Sequence, residues 1–473
     1  MSKTVETQGL PEAGFGPRWN RRRFAAGAAL AAGSALAGAQ TGWGLGLRAP
    51  TVADVAPDYT LEIGEVEWEL GPRKKVKTVA YNGQIPGKLL RLKEGTPATI
   101  EIVNRLDREE IVHWHGLWIP VDVDGSMEEG SPMITAGGRT LIHYTPRPMG
   151  LHWYHTHAMA GRSLNRGLFT GQSGVLLVEA RNEPGRYDRE QFVVLQDWEP
   201  FYAASDDGSL MVHYAAASIN GKMMGAGEPV RVKEGERLLL HVLNASATET
   251  HWLALGGHEF TVMSMDGSPV ATEARVKALR LGPAERITAV VEMNAPGVWV
   301  LGEPRKGFRK AGMGAVVEYA NRTGKPQEPA APPLTWDYRA FGHAKPVSYT
   351  PDATIPLVFT SRFKGHGALD QWMINGKSYP QTETPVLREG LRHRLVFDNR
   401  SMDDHPVHIH RHNFELVLVQ GARMSGVRKD VVIVEAGTRV EADLVANNPG
   451  NTLFHCHQQD HMDAGFMMLF HYA

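Results

Sequence analysis

The sequence predicts an all-β protein built of three tandem copies of one β-sandwich domain, and three observations carry that prediction. The first is a pattern that returns at a spacing of about 140 to 155 residues, too long for a solenoid unit and the right size for a domain. Tyr81-Asn82-Gly83, Ile219-Asn220-Gly221 and Ile374-Asn375-Gly376 each open the shared pattern. A second turn follows in each, at Lys93-Glu94-Gly95, Lys233-Glu234-Gly235 or Arg388-Glu389-Gly390, and an alternating run then ends at Asn104, Asn244 or Asn399. Asn-Gly accepts positive φ at both residues, which is the chemistry of a tight hairpin turn, and the alternation is that of a half-buried strand. The second observation is that the later halves match as well. Gly138-Arg139-Thr140, Pro283-Ala284-Glu285-Arg286 and Gly437-Thr438-Arg439 lead to Pro148-Met149-Gly150, Ala295-Pro296-Gly297 and Asn448-Pro449-Gly450. The third is that no amphipathic helical period longer than a few turns interrupts the strands.

These repeats divide the chain into domains at 55–181, 186–320 and 347–473. Residues 321–346, with Pro326, Pro329, Pro332 and Pro333, read as an extended linker. With 42 % hydrophobic and 22 % charged residues the chain has material for substantial cores, which excludes disorder and a fibrous repeat. Fifty basic against fifty-two acidic residues give a charge of -2, so nothing argues for a nucleic-acid or anionic-membrane partner.

Residues 1–40 read as an export signal. Arg21-Arg22-Arg23-Phe24 precedes an uncharged Ala/Gly/Leu run that ends at Ala37-Gly38-Ala39, a small-residue cleavage site. Arg-Arg-x-Phe resembles a twin-arginine signal, which exports proteins already folded and implies a periplasmic or extracellular location. The run is too short and too rich in Ala and Gly for a stable membrane span. A basic tail without structure is the competing reading.

Chemistry enters with the histidines. In the first copy His113-Trp114-His115-Gly116 follows the Asn104 strand and His155-Thr156-His157 follows Gly150. In the third copy the same two places carry His405-Pro406-Val407-His408-Ile409-His410 and His455-Cys456-His457, with His461 beyond. The second copy has Thr250-His251-Trp252-Leu253 and Val298-Trp299-Val300-Leu301 there and has lost the clusters. On a strand, residues i and i+2 face one way about 6.5 to 7 Å apart, so each His-x-His sets two imidazoles side by side. Four such pairs can hold several metal ions, and His455-Cys456-His457 aims two imidazoles one way and a thiolate the other. Cys456 is the only cysteine, so no intramolecular disulfide exists to claim it. A soft thiolate with two imidazoles suits blue copper. Zinc is the competitor, but a closed zinc site needs only four ligands.

The four motifs, in this order, resemble those of the multicopper oxidases of the laccase type, over about residues 55 to 473. The resemblance implies three cupredoxin-like Greek-key domains and four coppers per chain. It places a type 1 copper at His405, Cys456 and His461, and a type 2 copper at His113 and His408. The type 3 pair falls at His115, His155 and His457 and at His157, His410 and His455. O2 would be reduced to water at the cluster, and small reductants would deliver single electrons near His461, passing through Cys456. Asp124 stands where relatives carry a proton-delivering acid; the alternative is a turn aspartate before Gly125. Phe466, ten residues after Cys456, takes the axial position and offers no lone pair, while a slip of one residue would bring in Met467. Phenols and aromatic amines are the expected reductants, with cuprous or other metal-ion oxidation as the alternative and a non-catalytic copper-binding protein as the reading from another class. The oligomeric state is not legible in the sequence.

Overall fold

A computed structural model describes residues 56–180, 187–329 and 334–473; the export signal read in residues 1–40 lies outside them. The Asn-Gly turns form as their chemistry requires. Asn82, Asn220 and Asn375 have φ of 53°, 53° and 51°, and Gly83, Gly221 and Gly376 have 64°, 69° and 76°. Positive φ at both central residues matches the right-handed twist of the strands they join.

Each copy folds into two sheets. In the first, Lys74–Tyr81, Tyr59–Gly71, Ala98–Asn104 and Arg139–Tyr144 lie side by side in that order. The second sheet runs Gly87–Lys93, Ser173–Glu179, β2 (Gly150–Thr156) and β1 (Val112–His115). Leu61, Ile63, Ile100 and Ile102 from one sheet and Leu90, Trp114, Tyr154 and Leu176 from the other fill the space between. Tyr59–Gly71 pairs parallel with Ala98–Asn104, so these neighbours cannot be joined by a hairpin and the connection crosses over. The second copy has sheets of six and five strands and the third has sheets of seven and five, with the same parallel pairings. In the third copy β3 (His405–Ile409) and β4 (Thr452–Cys456) stand at the centre of the five-stranded sheet, between Met467–Tyr472 and Val431–Val434.

The asparagine that ends the alternating run organises one end of every copy. Asn399 Nδ2 donates to the carbonyls of Asp403, Val434 and Glu435 at 2.8, 3.0 and 3.1 Å, and its Oδ1 accepts from Ser401 N–H at 3.0 Å. Asn104 and Asn244 make the corresponding bonds to Arg108 and Ile134 and to Glu249 and Leu281. A single amide thus fixes the loop that delivers the following strand. Asn399→Ala leaves several buried carbonyls unpaired, which costs about 2 to 3 kcal/mol. Chemical denaturation is expected to show a loss of that size, with a similar loss for Asn244→Ala.

Candidate metal centres

Paired strands bring the histidines together. β1 and β2 are antiparallel with His113 opposite His155, and β3 and β4 are antiparallel with His408 opposite His455. The two pairs, from the first and third copies, meet face to face. His115 stacks on His408 with centroids 3.8 Å apart, and His113 stacks on His410 at 4.0 Å. The repeat makes His113 the counterpart of His408 and His115 the counterpart of His410, so the eight rings are related by a pseudo-twofold axis. That axis generates two equivalent trios. The rings of His115, His155 and His457 lie 5.1 to 5.6 Å apart, and those of His157, His410 and His455 lie 5.0 to 5.2 Å apart. His113 and His408, 5.8 Å apart, are left as a pair about the axis.

All eight histidines are buried. One nitrogen of most rings is committed outward: Nδ1–H of His113 donates to Asp124 O at 2.9 Å, that of His155 to Thr156 O at 2.9 Å, that of His408 to Asp430 O at 2.9 Å and that of His455 to Cys456 O at 2.8 Å. This fixes the tautomer and turns the other nitrogen inward. His113 Nε2, His115 Nδ1, His155 Nε2, His408 Nε2 and both nitrogens of His157 and His457 have no hydrogen-bond partner. Buried lone pairs without partners are costly, and a cation satisfies them. Burial and the neighbouring rings hold His115, His155, His408, His410, His455 and His457 well below the ordinary histidine range, and burial takes His157 down to about 3. Neutral imidazoles are the form that binds metal.

The second centre lies at the other face of β4. Cys456 Sγ is 3.6 Å from His405 Nδ1 and 3.7 Å from His461 Nδ1, and the two nitrogens are 3.2 Å apart. The point equidistant from all three atoms lies about 2.0 Å from each, within metal–ligand range. Ser401 Oγ, 2.8 Å from His405 Nε2, keeps Nδ1 free for the centre. Trp372 lies over His461 with centroids 4.1 Å apart. Phe466 packs 4.7 Å from the His405 ring, while Met467 packs in a separate cluster with Leu453 and Met462.

Of the groups that hold the clusters, Asp430, Arg286 and Glu129 carried no sequence signal, whereas Gly116 and Asp124 did. Asp430 Oδ1 is 3.1 Å from His115 Nε2, and its carbonyl is the acceptor for His408, so this one residue orients a histidine from each copy. Its carboxylate is gripped by Arg286 of the second copy through bonds of 2.5 and 2.6 Å, every atom of the pair being buried. The glycine of the His-Trp-His-Gly motif is required here: Gly116 has φ +87°, and a Cβ on it would meet Arg286, Asp430 and His152 at 2.6 to 2.7 Å. Asp124 Oδ2 lies 2.8 Å from His410 Nδ1 and 3.2 Å from His113 Nδ1, and Glu129 lies 3.4 Å from His410 Nδ1. Burial and the adjacent Asp124 carboxylate push the Glu129 carboxyl well above its ordinary range.

Comparison with known proteins agrees with this architecture. Three family profiles described as multicopper oxidase match residues 62–183, 189–312 and 351–473. The chain is 31 % identical to the multicopper oxidase MmcO of Mycobacterium tuberculosis over 82 % of each protein, and 27 % identical to Laccase-4 of Thanatephorus cucumeris over 80 % of this chain and 82 % of that one. The crystal structure of a multi-copper oxidase from Pseudomonas thermotolerans superimposes with a TM-score of 0.70 at 24 % identity, over 88 % of this chain and all of the other. The chain therefore belongs to the multicopper oxidases, copper-binding oxidoreductases that use O2 as acceptor.

Removing one side of the Arg286–Asp430 pair leaves a buried charge unmatched, which costs about 3 to 5 kcal/mol. Arg286→Met is expected to lower the melting temperature in calorimetry by more than Arg139→Met, which alters the exposed arginine at the equivalent place in the first copy.

Proposed function

We propose that the protein couples one-electron oxidation of phenols and aromatic amines to the four-electron reduction of O2 to water, using four coppers per chain. The observation that carries this reading is the N2S triangle joined to eight imidazoles by the single strand β4. His405, Cys456 and His461 would hold the type 1 ion, and His113 with His408 the type 2 ion. The two symmetry-related trios, His115/His155/His457 and His157/His410/His455, would hold the type 3 pair. Copper bound there supplies single-electron transfer at the first centre and multi-electron oxygen chemistry at the second.

The chain's own residues divide the remaining tasks. His461 keeps 8 % of its surface exposed whereas His405 and Cys456 are fully buried, so electron entry is assigned to the His461 side of the triangle. Cys456 is covalently continuous with His455 and His457, which gives a path of a few bonds between the centres. Phe466 contributes no donor, so the type 1 ion would be three-coordinate and its potential high. Asp124 and Glu129 form a buried carboxyl pair beside His113 and His410, in which Glu129 holds the proton and Asp124 takes the charge. Such a pair is placed to pass protons toward the cluster.

Oxidation of cuprous or other metal ions is the second reading. It is favoured by Met402, a thioether 91 % exposed on the loop that enters His405. The Arg21-Arg22-x-Phe24 leader supports export out of the cytoplasm before either reaction. Steady-state rates on a phenol, an aromatic amine, Cu(I), Fe(II) and Mn(II) rank the two readings.

Two variants test the assignments. Cys456→Ser is expected to remove the blue thiolate-to-copper band and all turnover and to lower copper from about four per chain to about three; a wild type that is fully loaded yet colourless would contradict the type 1 assignment. Asp124→Asn keeps the shape of the side chain and deletes a proton acceptor. Reoxidation of the reduced protein by O2 is expected to slow on the order of 10²-fold while reduction by substrate is unchanged, as stopped-flow absorbance would show.

A further inference from the structure

The second copy gives no residue to either centre, yet it preserves the frame of the N2S site. Ala254 pairs with Gly302 as His408 pairs with His455, which puts His251 at the position of His405 and Glu303 at that of Cys456. The counterpart of His455-Cys456-His457 is therefore Gly302-Glu303-Pro304, and the sequence expectation of Val298-Trp299-Val300-Leu301 there is corrected by the strand register. Phe308 then corresponds to His461, and Met313 to Phe466. Several surrounding hydrogen bonds recur at equivalent places. Cys456 N–H donates to Phe466 O at 3.1 Å and Glu303 N–H to Met313 O at 3.2 Å; Phe466 N–H donates to His461 O at 3.0 Å and Met313 N–H to Phe308 O at 3.0 Å. Ser401 Oγ lies 2.8 Å from His405 Nε2, and Ser246 Oγ lies 3.1 Å from His251 Nε2. The Phe308 ring stands 5.0 Å from His251, as the His461 ring stands 5.1 Å from His405.

The donor chemistry differs, and Trp252 N–H adds a bond to Glu303 Oε2 at 2.9 Å that Pro406 cannot make. His251 Nδ1 faces Glu303 Oε2 at 3.4 Å where His405 Nδ1 faces Cys456 Sγ at 3.6 Å, and His251 Nε2 lies 2.7 Å from Asp197 Oδ2. All three of these second-copy side chains are buried. A neutral imidazole has one N–H and one lone pair, so carboxylates at both nitrogens would set one lone pair against another. A second ring proton turns both contacts into charge-assisted bonds. The charges favour it too: Arg305, 2.7 Å from Glu303, balances only one of the two carboxylates.

We propose that the second copy holds the frame of a mononuclear metal site in which a proton, carried as the imidazolium of His251, occupies the place of the metal. Burial alone would lower the histidine's pKa, but Asp197 and Glu303 raise it to about 9. Burial pushes the neighbouring Glu249 carboxyl up to about 7, and Tyr214 and Asp460 complete the titratable groups near Asp197 and Glu249. Gln459 N–H donates to Ala247 O at 2.9 Å, tying the loop beside His251 to the short helix that carries His461.

The frame is tested by restoring the donors. Leu195 pairs with Asn244 as Phe359 pairs with Asn399, so Asp197 corresponds to Ser361. The triple variant Asp197→Ser, Glu303→Cys, Phe308→His copies Ser361, Cys456 and His461 onto the second copy. Titrated with Cu(II), it is expected to bind one more copper per chain than wild type and to show a second thiolate-to-copper band. A folded triple variant that takes up no additional copper overturns the frame, and a metal ion bound at His251 in the wild type overturns the proton.

This arm rests on reading the N2S triangle as a metal site; a second arm does not. A histidine whose folded pKa is raised stabilises fully below its unfolded pKa of about 6.5, and the contribution is lost as pH rises through the folded value. Copper-loaded wild type is therefore expected to melt above His251→Gln at about pH 6, with the difference closing by about pH 10. A difference that stays constant over that range overturns the imidazolium.

Discussion

Eight buried imidazoles are packed between the first and third copies, six of them with ring nitrogens that have no partner, and a bound cation would offset the cost of that packing. Neither copy can build the cluster alone. Each supplies one antiparallel pair of strands, and stacking such as His115 on His408 occurs only across the boundary between them. The second copy acts at a distance of one residue. Its Arg286 clamps Asp430, and Asp430 in turn orients His115 and His408. A domain without ligands thus takes part in holding the cluster through a fully buried ion pair, where loss of either partner costs far more than the pair itself contributes.

The three-copy architecture was legible because turn chemistry is local. Asn82-Gly83 and its two equivalents specify their φ values whatever surrounds them. The histidine clusters were legible for the same reason, since His-x-His on a strand fixes two ring positions within a few ångströms. Asp430, Glu129 and Arg286 were not. Their roles depend on contacts between residues hundreds of positions apart, and Arg286 aligns in the repeat with Arg139 and Arg439, which lie exposed. Nothing in the local sequence distinguishes the buried arginine from the two solvated ones. Asp124 is intermediate: its spacing after His115 marks it in the sequence, but its partnership with Glu129 is a tertiary fact.

The repeat also shows how one buried position can be furnished in three ways. It holds Glu110 hydrogen-bonded to Thr156 at 2.9 Å in the first copy, His251 beside Glu303 in the second, and His405 beside Cys456 in the third. Backbone register is common to all three, and the charge and softness of the side chains, with His461 added in the third copy, separate a hydrogen bond, an ion pair and a donor triangle suited to a soft metal.

Because the cluster rings are held neutral by burial, removing the metal should leave the fold sensitive to acid. Seven cluster histidines have folded pKa values below the ordinary range, so the unfolded chain binds more protons below about pH 6.5. Each then removes up to about 1.4 kcal/mol of stability per pH unit as pH falls. The direct measurement is calorimetry of copper-stripped and copper-loaded protein between pH 7 and pH 5. The stripped protein is expected to melt lower at pH 7 and to fall steeply toward pH 5. A melting temperature equal to that of the loaded protein and flat across that range would contradict a metal cluster at the boundary between the first and third copies.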